Sequence, residues 1–407
     1  MHQPEMTRPQ LAAIYMSALR NEIAIDIDGY NAVGAVPADF GCLPRLSAVW
    51  SGLNRYRWAS SIALRLLRSL WKLGLYVPFF LLQYRSLVST IKTPEPFGAD
   101  QTLHVLLSRL APAAVAKADG TASLAFTVPW QQYPDSIPHS RQIGIGDVLT
   151  RKDIRSCLVE AIAIARRIAR RNTLFSAWHL QTYTLFRWVC VARAIERVQC
   201  KRMVAANHYD RWAILVDRIG GEAKRSTVVV QHGIVATRYL PTKLRFTETI
   251  YVLNREQETL FKSFILAPQI AATVNVHFLD NAITLSELLA DESRIQVVLV
   301  GHPQYDVDQV RFLKAARLAR PDVQFIYKAH PTARGVNPEI RSATTLWDQS
   351  GIFPKCDFVF SYHSTLGYQY RDAGIPTFIH DKDMSDDQLD EAVRSIPNNK
   401  MLISAPR

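Results

Sequence analysis

Two short stretches of this chain set imidazole, ammonium and hydroxyl groups at the ends of apolar runs. The first, Lys328-Ala-His330-Pro331, closes the run Phe325-Ile-Tyr327. The second, Ser361-Tyr-His-Ser364-Thr365-Leu-Gly367, closes Phe358-Val-Phe360. Pro331 has no backbone donor and holds the residue before it extended, so it stops a strand and fixes the direction of the His330 imidazole. Ser361, Ser364 and Thr365 stand just ahead of a helix that starts near Leu366. One hydroxyl serves as its N-cap, leaving the others for phosphate oxygens at the positive helix end. Lys328, His330 and Arg334 are placed to meet a diphosphate. Open α/β sheets bind ligands at the carboxyl ends of their strands, where both stretches fall.

Gln231-His232-Gly233 follows the β-branched run Thr227-Val-Val-Val230. Gly233 permits a tight turn, leaving the imidazole at a strand end. His232 is either a general base, its ordinary pKa lying near neutrality, or a structural histidine bonded to a loop carbonyl. Asn207-His208-Tyr-Asp210 repeats the arrangement one unit earlier, with Asp210 read as a helix N-cap. Gly301-His302-Pro303-Gln-Tyr-Asp306 follows a further apolar strand and opens a helix. Gly301, His302 and nearby backbone N–H groups could line a phosphate there, with Asp308 an equally good cap. Asp26-Ile-Asp28 has spacing for a divalent cation but lacks a strand context and reads as a surface turn. Walker, nucleophile-elbow and dinucleotide signatures are absent; after Gly144-Ile-Gly146 the third glycine position holds Leu149.

The elements that must carry these groups alternate. Met203–Ala206, Thr227–Val230, Thr249–Leu253, Val274–Phe278, Gln296–Val300, Val323–Tyr327, Phe358–Phe360 and Thr377–Ile379 read as strands. Helices are expected at Asp210–Ile219, Arg255–Phe264, Asp308–Ala319, Leu366–Ala373 and Ser385–Arg394. Such βα units with short connections imply doubly wound parallel sheets. Upstream, Leu103–Leu107 and Leu124–Val128 read as strands, and Asp147–Arg171 and Leu174–Val198 as long helices. The run Arg166-Arg-Ile-Ala-Arg-Arg171 suits a helix carboxyl terminus. Residues 1–95 are helical in pattern, 96–244 form a first α/β domain and 245–407 a second.

With 407 residues, 48% of them hydrophobic, the chain can build two cores. A net charge of +12 favours anionic partners. The basic residues are dispersed and no nucleic-acid fold signature occurs, which argues against nucleic acid. Five scattered cysteines without a Cys-x-x-Cys pair point to a reducing compartment. No basic region followed by an apolar one marks a signal peptide at the amino end. The apolar stretch Leu73–Tyr84 is too short to span a bilayer and contains Pro78. Arg65, Arg68, Trp71, Lys72 and Arg85 border it, so it is either a helix lying on an anionic leaflet or a buried helix with snorkelling arginines.

Taken in order, Gln231-His232-Gly233, Lys328-x-His330-Pro331, Cys356-Asp357-Phe-Val-Phe-Ser361-x-x-Ser364-Thr365 and Gly374-Ile-Pro376 resemble the GT-B glycosyltransferases and glycerophosphotransferases of bacterial capsule, lipopolysaccharide and teichoic-acid assembly. These include polysialyltransferases, capsular Kdo transferases and CDP-glycerol glycerophosphotransferases. The resemblance spans residues 200–385. It implies two Rossmann-like domains facing a cleft, His232 as base, His330 and Pro331 on the donor phosphate, and Ser364 and Thr365 beside them. It further implies a metal-independent glycosyltransferase without a cofactor, at the cytoplasmic side of the inner membrane. Its partners would be a nucleotide-sugar donor and a saccharide or lipid-linked acceptor. The relatives' Gln-x-x-His-Gly has two residues between Gln and His that are missing here. The spacing from Gly301-His-Pro-Gln-Tyr-Asp306 to Lys328 is short beside the relatives' Gly-Tyr-Pro-x-x-Asp element. Ser-Tyr-His-Ser-Thr replaces the glycerophosphotransferase Asp-Tyr-Ser-Ser, which leaves CMP- and other nucleotide-linked sugars open as donors. The alternatives are a CDP-glycerol glycerophosphotransferase, a nucleotide-sugar 2-epimerase and a non-catalytic assembly scaffold.

Overall fold

The computed structural model describes residues 5–32, 62, 66, 69–92, 101–108, 111–118, 124–133, 141–170, 182–233, 240–280, 283–286, 294–302, 305–330, 335–349, 352–380 and 383–399. The chain divides into two compact units, Met1–Leu279 and Asp280–Arg407.

In the first unit seven parallel strands form one sheet: β1 (Thr102–Val105), β2 (Leu124–Phe126), β3 (Arg141–Ile143), β4 (Arg202–Ala205), β5 (Ser226–Val230), β6 (Thr249–Val252) and β7 (Asn275–Phe278). Their order is β3-β2-β1-β4-β5-β6-β7, so the winding reverses between β1 and β4. The helices are α1 (Arg8–Ala32), a π-helical turn (Trp71–Leu75) running into α2 (Tyr76–Val88), α3 (Ala111–Ala118), α4 (Ile145–Val148), α5 (Arg151–Arg170), α6 (Leu185–Arg197), α7 (Arg211–Glu222), α8 (Arg255–Leu260) and α9 (Pro268–Ala271). Successive strand side chains point to opposite faces. Leu103, Val105, Phe126 and Met203 therefore pack with α5 and α6, while Leu106, Val204, Val228 and Val230 pack with α3. Both faces of the sheet are covered, as a run of consecutive buried β-branched residues requires.

The division between the units corrects the boundary expected at 244/245. β6 pairs parallel with β5 and β7 with β6, so these strands complete the first sheet rather than open the second. The described residues between 5 and 92 likewise do not form a separate element. Leu11, Tyr15, Trp71, Phe80 and Leu87 join the same buried cluster as β1 and β2. Arg211 at the start of α7 pairs with Glu22 of α1, and its guanidinium also donates to Thr184. Asp26 and Asp28 lie within α1, not in a turn. The single helix expected over 147–171 is interrupted between α4 and α5. Thr150 and Asp153 exchange hydrogen bonds there, with Asp153 Oδ2 accepting from the Thr150 N–H at 2.9 Å. This is a capping box, which starts α5 afresh.

The second unit holds β8 (Thr284–Ser286), β9 (Ile295–Val300), β10 (Val323–Lys328), β11 (Thr345–Leu346), β12 (Ile352–Pro354), β13 (Phe358–Tyr362) and β14 (Thr377–His380). Five of them form a parallel sheet of order β11-β10-β9-β13-β14; β8 and β12 pair separately. Its helices are α10 (Asp306–Ala319), α11 (Pro338–Ala343), α12 (Thr365–Asp372) and α13 (Asp386–Arg394). Val297 and Leu299 pack with α10 and α13 on one face, Val298 and Val300 with Tyr370 of α12 on the other. Phe312 stacks on Phe360 at 3.9 Å; a fully buried ring of this kind contributes about 1.5–3 kcal/mol. Asp308 is no helix cap. Its carboxylate accepts the N–H groups of Asp383 and Met384 at 2.9 and 3.1 Å, pinning the loop after β14. Each unit is thus a Rossmann-like doubly wound fold with the reversal at its centre, β1/β4 in the first and β9/β13 in the second.

Candidate functional site

A reversal of winding leaves a crevice at the strand carboxyl ends, because the loops on its two sides turn away from each other. In the second unit β9 delivers His302 there and β13 delivers residues 362–365, with His330 following the neighbouring β10. The rings of His302 and His330 meet edge to face at 4.8 Å. Tyr305 and Tyr362, from opposite sides of the reversal, stack at 4.6 Å with 16° between their planes, and His302 lies 5.4 Å from Tyr362. His380 at the end of β14 closes the cluster, 5.8 Å from Tyr305. Burial lowers the pKa of His330. Burial, and then the charge of His330, lowers that of His302. Both imidazoles are half-buried.

Ser364 is the N-cap of α12: its Oγ accepts the Gly367 N–H at 2.9 Å. Ser361 is fully buried, and its hydroxyl bonds to the Tyr362 carbonyl at 2.7 Å and to Ser364 Oγ at 2.9 Å. A Cβ at Gly367 would meet Ser361 Oγ at 2.4 Å, so glycine lets the helix start close over this serine pair. The hydroxyls of Ser361 and Ser364 therefore bond each other and the helix start, whereas both were expected on the donor phosphate. What α12 offers an anion is its amino-terminal backbone and half-buried Thr365.

Two other expected donors, Lys328 and Gly301, are engaged elsewhere. The Lys328 ammonium is held by the carbonyls of Gln349 and Trp347, at 2.5 and 3.5 Å. It secures the β11 edge. The Gly301 N–H donates to the Lys328 carbonyl at 2.8 Å and so extends the β9–β10 ladder instead of lining a phosphate. Gly301 is required for another reason: a Cβ would lie 2.0 Å from the Tyr327 ring. Pro331 and Arg334 fall outside the described residues, as does Pro303.

In the first unit His232 follows β5, half-buried, with Nδ1 against the Ala206 carbonyl. A carbonyl only accepts, so Nδ1 carries the proton and Nε2 is the basic nitrogen. Its ring lies 5.0 Å from that of buried His208. His208 makes no well-formed hydrogen bond through either nitrogen. Burial first, and then the charge of His232, holds its pKa well below the ordinary value. Gln231 is buried and accepts the Leu253 N–H at 3.0 Å while donating to the Gly233 carbonyl at 2.9 Å and to Gln257. It ties β5 to β6 and presents nothing to a ligand. Gly233 has an ordinary φ and nothing within 4 Å of a built Cβ, so the turn does not require glycine. Asp210 caps α7 as expected, accepting from the backbone of Trp212 and Ala213 at 3.0 Å.

Among the described residues no group of three or more His, Cys, Asp and Glu side chains is arranged to hold a metal ion. Sequence reasoning missed Tyr305, Tyr362, His380 and the role of His208. All lie within or beside stretches whose neighbours carried the signal, but their association depends on strand order.

No protein-family model and no curated protein sequence matches the chain. Among solved structures, a UDP-GlcNAc 2-epimerase from Neisseria meningitidis bound to UDP-GlcNAc is similar at 10% identity, covering 72% of this chain and 85% of that one, with a TM-score of 0.37. The wall teichoic acid polymerase TagF is similar at 9% identity, 80% and 90% coverage and a TM-score of 0.37. The spinosyn rhamnosyltransferase SpnG, complexed with thymidine diphosphate, is similar at 10% identity, 73% and 91% coverage and a TM-score of 0.35. Likenesses this remote say nothing of activity.

Proposed function

We propose that the protein is a GT-B-type glycosyltransferase that takes sugar from a nucleotide-activated donor, needs no metal, and serves assembly of a bacterial surface polysaccharide. The observation that carries the reading is the imidazole pair His302–His330 beside the capped start of α12, at the winding reversal of the second unit. Donor phosphate oxygens would take hydrogen bonds from these imidazoles, from Thr365 and from the α12 backbone. As the bond between sugar and phosphate breaks, the leaving phosphate gains charge, and donors already aimed at it stabilise the transition state. His232, through Nε2, would take the proton of the acceptor hydroxyl. Its Nδ1–H bond to Ala206 keeps the ring in the basic tautomer.

The experiment is donor-to-acceptor transfer by purified His232→Ala and His330→Ala. Each should lose transfer. Conversion of a nucleotide sugar without any acceptor would instead mark an epimerase.

The same reading puts the protein at a membrane surface. Among the described residues no helix is long and apolar enough to cross a bilayer. Yet Leu66, Leu70 and Leu73, and then Leu75, Phe79 and Leu82, are exposed at helical spacing, Leu73 at 84% and Leu82 at 64%. The chain kinks at Gly74 (φ 114°) between these two runs, and Trp71, Tyr76, Phe80 and Leu87 on the opposite side are in the core. A helix apolar on both sides needs cover on its outer face. With Lys72 and Arg85 beside the stripe and a chain charge of +12, an anionic leaflet supplies that cover.

A further inference from the structure

We infer that the first unit contains a second anion site, at the opposite edge of its own sheet from His208 and His232, that takes a ligand bearing two or more phosphate groups. A cavity of about 870 Å³ opens among α1, α7, α9 and the segment leading into β6. Residues 241–246 precede β6, and the carboxyl end of α7 precedes β5. The cavity therefore lies at the amino-terminal edge of the sheet, opposite the strand ends that hold His208 and His232.

Four cations line it: Arg20, Arg218, Lys243 and Arg245; no carboxylate does. Asp217, the acid paired with Arg218, is fully buried. Its charge is already covered. It accepts the backbone N–H groups of Arg245 and Phe246 at 2.9 and 2.8 Å, the Thr247 hydroxyl at 3.1 Å and the Arg218 guanidinium at 3.1 Å. Asp217 thus fixes the segment that presents Arg245, yet its buried charge is taken up by these four donors. Arg20 and Arg245 are exposed and take no acidic partner among the described residues. The pKa of Arg218 is lowered by burial first; Asp217 raises it, and the nearby charge of Arg245 lowers it further by a smaller amount. An anion between the guanidiniums would relieve that repulsion.

The wall is built rather than incidental. Asn21 of α1 bonds both the N–H and the carbonyl of Thr242, each at 2.8 Å, and the Thr242 hydroxyl donates to the Ser17 carbonyl at 3.1 Å. The Arg218 guanidinium lies over the Phe246 ring at 5.6 Å. Guanidiniums prefer phosphate because their planar fork offers paired donors. The volume exceeds what one phosphate fills, which is why the ligand carries at least two.

The test is titration of the full chain with inorganic pyrophosphate, tripolyphosphate and long-chain polyphosphate. Comparison variants are Arg20→Gln/Arg245→Gln and, as a control, Arg166→Gln/Arg167→Gln on the exposed face of α5. Both changes are at exposed side chains, and an unchanged Tm without ligand verifies folding. The cavity variant should bind at least about tenfold more weakly than wild type, with the control unaffected. Binding of the short anions identifies a compact ligand; binding of the long chain alone identifies a polymeric one. No binding of any of the three, or an equal loss in the control, overturns the proposal. His330→Ala should keep this binding and the cavity variant should keep nucleotide binding, so failure here is distinct from failure of the transferase reading.

Discussion

His302 and His330, delivered by adjacent strands, meet edge to face at 4.8 Å, and both have lowered pKa values. The cause is burial in each case, reinforced at His302 by the charge of its neighbour. Two imidazoles that resist protonation at close quarters become good phosphate partners once an anion arrives, because the anion pays back the cost of charging them.

Nucleotide affinity should therefore rise as pH falls. In the unliganded protein burial favours the neutral form of both histidines; a bound phosphate raises their pKa, so binding takes up protons. Calorimetric Kd values measured from about pH 8 down to pH 6, across the ordinary histidine range, should tighten for wild type. They should vary less for His330→Ala. A flat profile in wild type would count against phosphate contact with this pair.

His208 sets a different pH dependence, on stability. Its folded pKa is well below the unfolded value of about 6.5. Between those two values the unfolded chain binds a proton that the folded chain refuses. Stability is thus fully retained above about pH 6.5 and falls as pH drops toward the folded pKa, by up to about 1.4 kcal/mol per pH unit for this one group. Urea unfolding across this range should show a shallower slope for His208→Gln than for wild type. Equal slopes would remove His208 as the source.

Two glycines should behave oppositely. Gly301→Ala drives a methyl into Tyr327 and should cost about 1–3 kcal/mol by urea unfolding. Gly233→Ala meets open space at an ordinary φ and should change stability by less than about 0.5 kcal/mol.

The exposed stripe gives a test of membrane contact. Leu73→Glu/Leu82→Glu should abolish sedimentation with vesicles rich in phosphatidylglycerol and leave the Tm unchanged, since neither side chain is buried. Undiminished sedimentation would place the contact elsewhere on the surface.

Much of this fold is legible in the sequence because buried parallel strands are continuous apolar runs. Phe358–Phe360 and Thr227–Val230 stand out without any knowledge of their partners. The short edge strands do not: Arg141-Gln-Ile143 is polar and mostly exposed, and β11 has two residues. The domain boundary was misplaced because sheet membership is a matter of pairing. Nothing in Thr249–Val252 says whether it ends one sheet or begins another. At the site, His302 and His330 were recognisable as strand-end imidazoles. The Tyr305–Tyr362 stack was not, since it needs β9 and β13 to be neighbours although β10, β11 and β12 intervene in sequence. Lys328, Ser361 and Gln231 were assigned to ligand contact from their strand-end positions and the family resemblance, whereas backbone carbonyls of the protein itself engage all three.

The most direct measurement is thermal unfolding with CMP, CDP, UDP and GDP in turn. The account predicts that at least one raises the Tm, by an amount equivalent to about 2.7 kcal/mol at a hundredfold excess over Kd. Measured in the Arg20→Gln/Arg245→Gln background, so that the first-unit cavity does not contribute, the shift should be lost on adding His330→Ala and kept on adding His232→Ala. If none of the four stabilises the protein, or adding His330→Ala to that background leaves the response unchanged, the second unit does not hold a nucleotide phosphate at the β9/β13 crevice.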